Sequence, residues 1–488
     1  MERISTGSDA PLFDIAATRR IEIAAAARLP PHTLMQRAGL AVARLAMALA
    51  PHARAIWIAC GPGNNGGDGF DAAMQLRQRG FNAIVTWAGD VEHLPPDARQ
   101  SLQRAQRVGV IFADAPPPTF DLVIDAMLGI GSSRAPEGLM ANWLLRAQEG
   151  SAPVLSVDLP SGLNADTGAW AVTAPERSPA IRPRHSLSLL TLKPGLFTAS
   201  GRDAAGEVWF DDLGVRHAEL PVARLVGPRP TRIRPHVSHK GSFGDVAVIG
   251  GAEGMVGAAV LAASAALHGG AGRVFLALLN QVTGVLDANQ PELMFRRPAT
   301  LDWRKMAVVC GCGGGDAVGV ELPRVLSTAS ALILDADALN MIARDSTLQT
   351  LLRRRAVRGW RTVLTPHPLE AARLLETNAA NVQADRLHAA RLLAEKFAAT
   401  VVLKGSGSVI ASPNELSRVN TTGNGRLATA GTGDVLAGMV GARLASGLSA
   451  FDAACEAAWQ HGALADAWPT RQPLTASALS RFALPAQD

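Results

Sequence analysis

The sequence predicts an α/β protein of two domains in series, each built on a largely parallel sheet covered by helices on both faces. Three observations predict it. Short apolar runs ending in glycine or proline turns alternate with helical patterns of ten or more residues, and strands separated by such helices join as parallel neighbours. The alternation lapses once, between about 214 and 238, where GVRHAELPVARLVGPRPTRIRPHVS is dense in proline and arginine and reads as a linker. The length, 488 residues, exceeds one ordinary domain. These place the first domain at 1–222 and the second at 223–488.

In the first domain, AIWIAC (55–60) predicts a buried strand, GPGNNGGDGF (61–70) a glycine loop, DAAMQLRQRG (71–80) a helix and NAIVTWAG (82–89) the next strand. DLVIDAMLG (121–129) and PVLSVDLPSG (153–162) are further apolar runs that end in turns. In the second domain, DVAVIGG (245–251) predicts a strand and MVGAAVLAASAALHGG (255–270) a helix. MAVVCGCGGG (306–315), ALILDADALN (331–340), TVLTPHP (362–368) and TVVLKGSGS (400–408) repeat the pattern of strand and polar turn. GTGDVLAGMVGARLASG (431–447) and DAACEAAWQHGALADAW (452–468) close the chain as helices.

Composition excludes several classes. The net charge of +5 comes from scattered arginines without interleaved aromatics, which argues against nucleic-acid binding. The longest apolar stretches, such as AAVLAASAAL (258–267), fall well short of a membrane span, and the first residues carry no export-type apolar region. The four cysteines, Cys60, Cys310, Cys312 and Cys455, show no metal or disulfide spacing, so a reducing cytoplasm is expected. Lysine occurs only five times, and Lys193, Lys240 and Lys404 each adjoin a glycine turn. That position suits a functional cation as well as a routine turn residue.

Three strand ends of the first domain carry polar loops, which in a parallel sheet converge beyond the carboxyl ends of the strands. Gly61, Gly63 and Gly66 have the G-x-G-x-x-G spacing of a dinucleotide-binding turn, and Asp90 stands where a ribose-binding acid would follow. Asp68 opposes that reading, because a carboxylate at the mouth of the helix repels pyrophosphate, although it makes a sound helix cap. Asp125 and Asp158 end apolar strands, where a carboxylate is costly unless paired. Asn65, Asp125 and Ser161 form a hard-oxygen set suited to an alkali ion, with no histidine or cysteine nearby. Helix capping and loop tying explain the same acids, and the residues alone leave both readings open.

NNGGDG, VIDAMLGIG and SVDLPSGLNADTG resemble the signature loops of the NAD(P)HX epimerase domain, the YjeF N-terminal family, with similarity from DIAATRRIE (14–22) and LMQRAG (34–39) to FDDLGV (210–215). The resemblance implies a Rossmann-like doubly wound sheet that interconverts the two C6 epimers of hydrated NADH or NADPH. It implies contact with the hydrate by Asn64, Asn65, Gly66, Gly67 and Asp68, by Gly129, Ile130, Gly131, Ser132, Ser133, Arg134 and Ala135, and by Asp158. It also implies a potassium ion held by Asn65, Asp125 and Ser161. Epimerisation needs an acid or base near C6, for which Asp125 is the first candidate and Lys193 the second. Relatives carry an Ala-Asp-x-Thr-like stretch where AIRPRHSLSLLT (180–191) stands here.

The second domain has no P-loop, but TAGTGDVLAGMV (429–440) puts Gly431 and Gly433 at a helix start, where backbone N–H groups meet an anion. Asp434 stands there as a base for an attacking hydroxyl, or as a plain cap. His367, between two prolines, suits substrate contact or helix capping. The GTGD motif, with HKGSFGDVAVIGG, LDADALN, LTPHPLEAARLL, VVLKGSGSVIA and GNGRLATAGTGDVLAG, resembles the ribokinase-like ADP-dependent NAD(P)HX dehydratase domain over roughly 235–485. The resemblance implies hydrate contacts by Ala258, Gly315, His367 and Asp434, and nucleotide contacts by Lys404, Gly405, Ser406, Gly407, Ser408 and Gly433. It implies ADP with Mg2+ as co-substrate, small-molecule partners only, and self-association. The family's GPGLG loop reads GCGGG here (311–315), and Cys312 for proline with Gly314 for leucine should loosen it.

The expected function is therefore repair of hydrated NADH and NADPH, with Asp125 and Asp434 as the catalytic acids. Two alternatives carry different chemistry: a vitamin-precursor kinase of the ribokinase type fused to a nucleotide-binding domain, and a non-catalytic first domain beside a working second one. An ordinary dehydrogenase fits worst, since nothing in the chain resembles its separate substrate domain.

Overall fold

The computed structural model describes residues 1–131, 134–171, 184–228, 235–280 and 287–482. The chain divides into two compact units, Met1–Ser5 with Ala10–Ala223 and Thr6–Asp9 with Arg224–Asp488. Thr6–Asp9 belongs to the second unit because Asp9 accepts from Arg224 and Arg418, and the Thr6 carbonyl accepts from the Trp459 indole. Within the stretch read as linker, Arg224 and Leu225 pair in parallel with Arg418 and Val419.

The first unit holds an eight-stranded sheet in the order Glu2–Arg3, Glu207–Asp211, Arg184–Leu189, Val154–Val157, Leu122–Ala126, Ile56–Cys60, Ala83–Trp87 and Ile111–Phe112. All neighbours run parallel except Glu2–Arg3. Side chains alternate across a strand, and both faces are buried here. Ile56, Ile58 and Cys60 join a core under helices Thr33–Leu49, Asn64–Gln78 and Pro96–Arg107, whereas Trp57 and Ala59 join Trp143 and Ala147 of Leu139–Glu149 on the other face. From Ile56–Cys60 the chain winds outward to one edge, then resumes at Leu122–Ala126 on the other side. The switch point therefore lies between these two strands.

The second unit repeats this logic on a larger sheet. Its order runs Met294–Phe295, Arg273–Leu278, Asp245–Gly250, Ala307–Cys310, Ala331–Leu334, Arg361–Leu364 and Thr400–Leu403, all parallel, then antiparallel Val409–Ala411 and Arg418–Val419. Helices Val256–His268, Thr432–Ala445 and Ala450–Asp466 bury one face with Val246, Val248, Val309 and Ile333. Val308, Leu332 and Leu334 are buried as well, outside that cluster. The switch point falls between Asp245–Gly250 and Ala307–Cys310. Among the described residues no helix is long and apolar enough to cross a membrane.

One element departs from expectation. The helix after the first buried strand begins at Asn64, not near 71, so Asn64 to Asp68 form its first turns and Asp68 is not its cap. Glycine propensity favours a loop there, but packing overrides it. A Cβ on Gly66 would lie 2.1 Å from the Gly61 carbonyl oxygen.

Candidate functional sites at the two switch points

In the first unit the loops after Ile56–Cys60 and Leu122–Ala126 touch. The Gly61 amide donates to the Ala126 carbonyl at 3.1 Å. A Cβ on Gly61 would stand 1.9 Å from the Met127 carbonyl oxygen, so only glycine permits this approach. Beside the contact opens a cavity of about 600 Å³. Asn64, Asn65, Asp68, Gly129, Ile130, Gly131, Arg134, Asp158 and Lys193 line it, with Glu22 and Asp97. Ser132 and Ser133 lie outside the described residues. Gly66, Gly67 and Ala135 do not line the cavity; the two glycines are buried in the helix behind it.

Asp158 occupies a left-handed backbone conformation, φ 68°, at the end of Val154–Val157. Its Oδ1 accepts from the Lys193 ammonium and from the Leu189 amide, and Lys193, fully buried, also donates to the Leu189 carbonyl at 2.7 Å. Burial and the Asp158 charge push the Asp68 carboxyl well above the usual carboxylate range. The same two causes raise Glu22. Two carboxyls raised by burial and the Asp158–Lys193 ion pair thus line one space.

Asp125 is set apart from that space and does not line the cavity. Its Oδ1 accepts from the Ser161 hydroxyl at 2.6 Å and the Met127 amide at 3.3 Å, and its Oδ2 from the Ser161 amide at 3.0 Å. Burial raises its pKa, and the Ser161 donors work against that rise. Asn65, Asp125 and Ser161 all offer hard oxygens, the donor type an alkali ion takes, and a Cβ on Gly129 would crowd Asn65 Oδ1 at 3.1 Å. The Ser161 hydroxyl here joins Asp125 to the Leu128 amide. Asp90 is exposed, caps its own turn with contacts to the Glu92 amide and His93, and does not line the cavity.

In the second unit five strand ends converge. The Gly251 amide donates to the Cys312 carbonyl and the Ala252 amide to the Gly313 carbonyl, so the 311–315 loop is pinned to its neighbour. Gly311, Gly313 and Gly315 all have positive φ. The loop thus turns left-handed at those three glycines, which adopt that conformation without strain, and Cys312 between two of them is fully buried. The Gly315 amide donates to Asp337 at 2.9 Å, and a Cβ on Gly313 would meet the Ala258 side chain at 3.0 Å.

Asp335 follows strand Ala331–Leu334, buried, and accepts from the Lys404 ammonium at 2.7 Å and the Thr365 hydroxyl at 2.9 Å. Side-chain ligand atoms of Cys312, Asp335 and Asp434 lie within 4.8 Å of one another. Asp434 sits in the first turn of Thr432–Ala445, whose Gly431 cap has φ 90°. Burial first, then the Asp335 charge, raises Asp434 to about 7, while the Cys312 thiol and Lys404 pull it down. Burial works against the Lys404 charge, but Asp335 and Glu370 outweigh it and raise its pKa. A Cβ on Gly433 would stand 3.3 Å from Lys404 Nζ. A carboxyl, an ammonium and the N–H groups of a helix start therefore share one point, an arrangement of the kind that receives anions.

His367 caps helix Pro368–Leu375: its Nδ1 accepts from the Leu369 and Glu370 amides, and its Nε2 faces Glu370 at 3.2 Å. Burial holds its pKa below the ordinary histidine value. The capping alternative thus describes its contacts in this structure. Lys193 enters a buried ion pair and Lys404 a partly buried one, whereas Lys240 stays exposed at the start of the short helix Lys240–Phe243.

Two contributors escaped the sequence reading. Asp335 lies in LDADALN, an acid after an apolar run, the same signal that singled out Asp125 and Asp158. Arg386 gave no local signal. Fully buried, it donates to the Leu403 and Lys404 carbonyls at 3.1 Å each, bracing the 404–408 loop from beneath.

Comparison with known proteins matches a different family to each part of the chain. Residues 31–195 match the family model described as YjeF-related protein N-terminus, and residues 246–483 match that of NAD(P)H-hydrate dehydratase. The chain is 34% identical over 462 residues to the bifunctional NAD(P)H-hydrate repair enzyme Nnr of Escherichia coli, covering 90% of this chain and 86% of that protein. It is 45% identical over 268 residues to the ADP-dependent (S)-NAD(P)H-hydrate dehydratase of Neisseria meningitidis, covering 53% of this chain and 88% of the other. Among solved structures, an ADP/ATP-dependent NAD(P)H-hydrate dehydratase from Bacillus subtilis is similar at 29% identity, with a TM-score of 0.43, over 51% of this chain and 91% of that one.

Proposed function

The chain belongs to the family of bifunctional NAD(P)H-hydrate repair enzymes, and from that premise we propose how its two units divide the work. It restores NADH and NADPH from their hydrates: one activity interconverts the (R) and (S) epimers, and the other dehydrates the (S) form with ADP, releasing AMP and phosphate. This family membership sets aside the small-molecule kinase reading.

In the second unit Asp434 accepts the proton of the 6-hydroxyl. The freed oxygen attacks the β-phosphorus of ADP, and AMP leaves. Phosphate then departs with the C6–O electron pair, the ring nitrogen lone pair assists, and a C5 proton passes to the departing phosphate as the 5,6 double bond forms. Lys404 and the N–H groups of Gly433 and its neighbours hold the transferring phosphoryl group. The 404–408 loop holds the rest of the nucleotide, which binds with Mg2+. Hydroxide is a poor leaving group, and phosphate is a good one. The observation that carries this reading is the desolvated Asp434 carboxyl at a helix N-terminus beside Lys404.

In the first unit Asp68, whose carboxyl is held well above the usual carboxylate range, gives a proton to the departing C6 oxygen. The ring nitrogen lone pair forms the iminium, and water returns on the opposite face while Asp68 recovers the proton. Asp158, anchored by Lys193, offers negative charge to that cation. Asp125, the first candidate for acid–base work, does not line the cavity and serves better with Asn65 and Ser161 as a ligand of potassium, whose bound charge would order the 127–131 loop. The buried free cysteines suit a reducing cytoplasm.

The division of labour is testable with one variant. Asp434→Asn should abolish ADP-dependent dehydration and leave exchange of the epimers at its original rate. Dehydration that persists in this variant removes Asp434 from the role.

A further inference from the structure

We propose that Arg19 binds the pyrophosphate of the hydrated coenzyme at the first unit's cavity and so fixes which end of the substrate enters. The proposal rests on the reading of this cavity as the site of epimer exchange.

Arg19 belongs to helix Ile15–Ala26, which turns one face to the cavity. Thr18, Arg19, Glu22 and Ala26 all line it, at the three- and four-residue spacing of a helical stripe. The helix is anchored on its other side. Ala17 and Ile21 join the core, the Ile15 amide donates to Asp166 at 2.8 Å, and the Thr18 hydroxyl meets that of Thr191 at 2.8 Å. The backbone that carries Arg19 is therefore fixed at the cavity wall, while its guanidinium stays uncommitted. Arg19 is exposed and, among the described residues, makes no hydrogen bond or ion pair; the charge of Glu22, one turn on, reaches it only from a distance. Its neighbour Arg20 does not line the cavity and is held by both carboxylate oxygens of Glu219, at 3.0 and 2.8 Å.

Charge decides which part of the coenzyme Arg19 meets. Asp68, Asp158, Glu22 and Asp97 put four carboxyls in the lining, against the cations Lys193, Arg134 and Arg19. Lys193 is fully buried and committed to Asp158 and the Leu189 carbonyl. A pyrophosphate drawn in beside that pair would shed its hydration and gain no free cation. The hydrated ring fits the same place, because it becomes cationic as its C6 oxygen leaves and there meets carboxylates. The two phosphates then stay at the exposed part of the lining, where Arg19 and Arg134 stand. A guanidinium offers paired N–H groups to phosphate oxygens, and its planar fork makes that contact directional.

The test is the kinetics of epimer exchange in Arg19→Met, Arg19→Lys and Arg20→Met. With hydrated NADH, Arg19→Met should raise KM roughly tenfold, the scale of one hydrogen bond between charged groups, and leave kcat close to its original value. Hydrated NADPH should show the same rise. Inorganic pyrophosphate should compete with either hydrate, and roughly tenfold more of it should be needed in Arg19→Met. Arg19→Lys restores the charge and should recover part of the loss. Arg20→Met removes a charge one residue away and should leave KM as it was. An unaltered KM in Arg19→Met, or an equal rise in Arg20→Met, would overturn the proposal. So would a rise confined to hydrated NADPH, which assigns Arg19 to the 2′-phosphate, or pyrophosphate that acts on both proteins equally or on neither. Failure of the underlying reading is separate: the unaltered protein would then exchange the epimers of neither hydrate.

Discussion

Replacing Asp335 by asparagine should shift the pH dependence of dehydration in a direction the structure determines. Asp434 must be unprotonated to accept a proton, and its pKa is raised to about 7. The rate should therefore fall roughly tenfold between about pH 8 and pH 6 in the unaltered protein. Asp335 is the second cause of that elevated value after burial. With oxygens within 4.8 Å, two like charges repel by about 3 kcal/mol at an effective dielectric near 20. Lys404, 2.7 Å from Asp335, offsets most of this, leaving on the order of one pKa unit. In Asp335→Asn that repulsion disappears, and the Lys404 charge is no longer neutralised. Both changes lower the Asp434 pKa, so the acid limb should move down by about one pH unit. The assay follows the returning dihydronicotinamide absorbance from the (S) hydrate and ADP across pH, with epimer exchange as a folding control. A limb that stays put, or moves up, refutes the electrostatic account of Asp434.

Three further outcomes follow from the geometry. Lys193→Met leaves the Asp158 carboxylate without its buried ammonium, so epimer exchange should be lost and thermal unfolding should show a destabilisation of about 3–5 kcal/mol, while dehydration of the (S) epimer persists. Gly61→Ala drives a methyl into the Met127 carbonyl, whereas a Cβ on Gly63 meets nothing within 4 Å; the first should cut epimer exchange at least about tenfold and the second should leave it nearly unchanged. Arg386→Met strands the Leu403 and Lys404 carbonyls, a cost of about 1–3 kcal/mol per group, and steady-state kinetics should show a raised KM for ADP with epimer exchange intact.

The alternation of apolar runs and turns made both sheets legible, because a strand buried on two faces must be continuously apolar, as Ile56–Cys60 is. Asp125 and Asp158 were legible for the complementary reason, since a carboxylate at the end of such a run needs a partner, and Asp434 from the glycine turn that opens a helix. What the sequence concealed was which partner. Asp158 took Lys193 from 35 residues downstream, and Asp125 took Ser161; strand order decides these pairings. The start of the Asn64–Gln78 helix was hidden because its glycines serve close approach to Gly61, Met35 and Ala98, a tertiary demand that local propensity cannot express. Arg386 was invisible since its donors meet backbone carbonyls, which leave no mark on composition.

The most direct measurement supplies a mixture of both hydrate epimers with ADP and follows dihydronicotinamide absorbance, AMP and inorganic phosphate together. The account predicts that both epimers are consumed, with one AMP and one phosphate released for each coenzyme restored. Hydrate that persists whichever nucleotide is offered, or a phosphorylated alcohol that accumulates in place of phosphate, would contradict it.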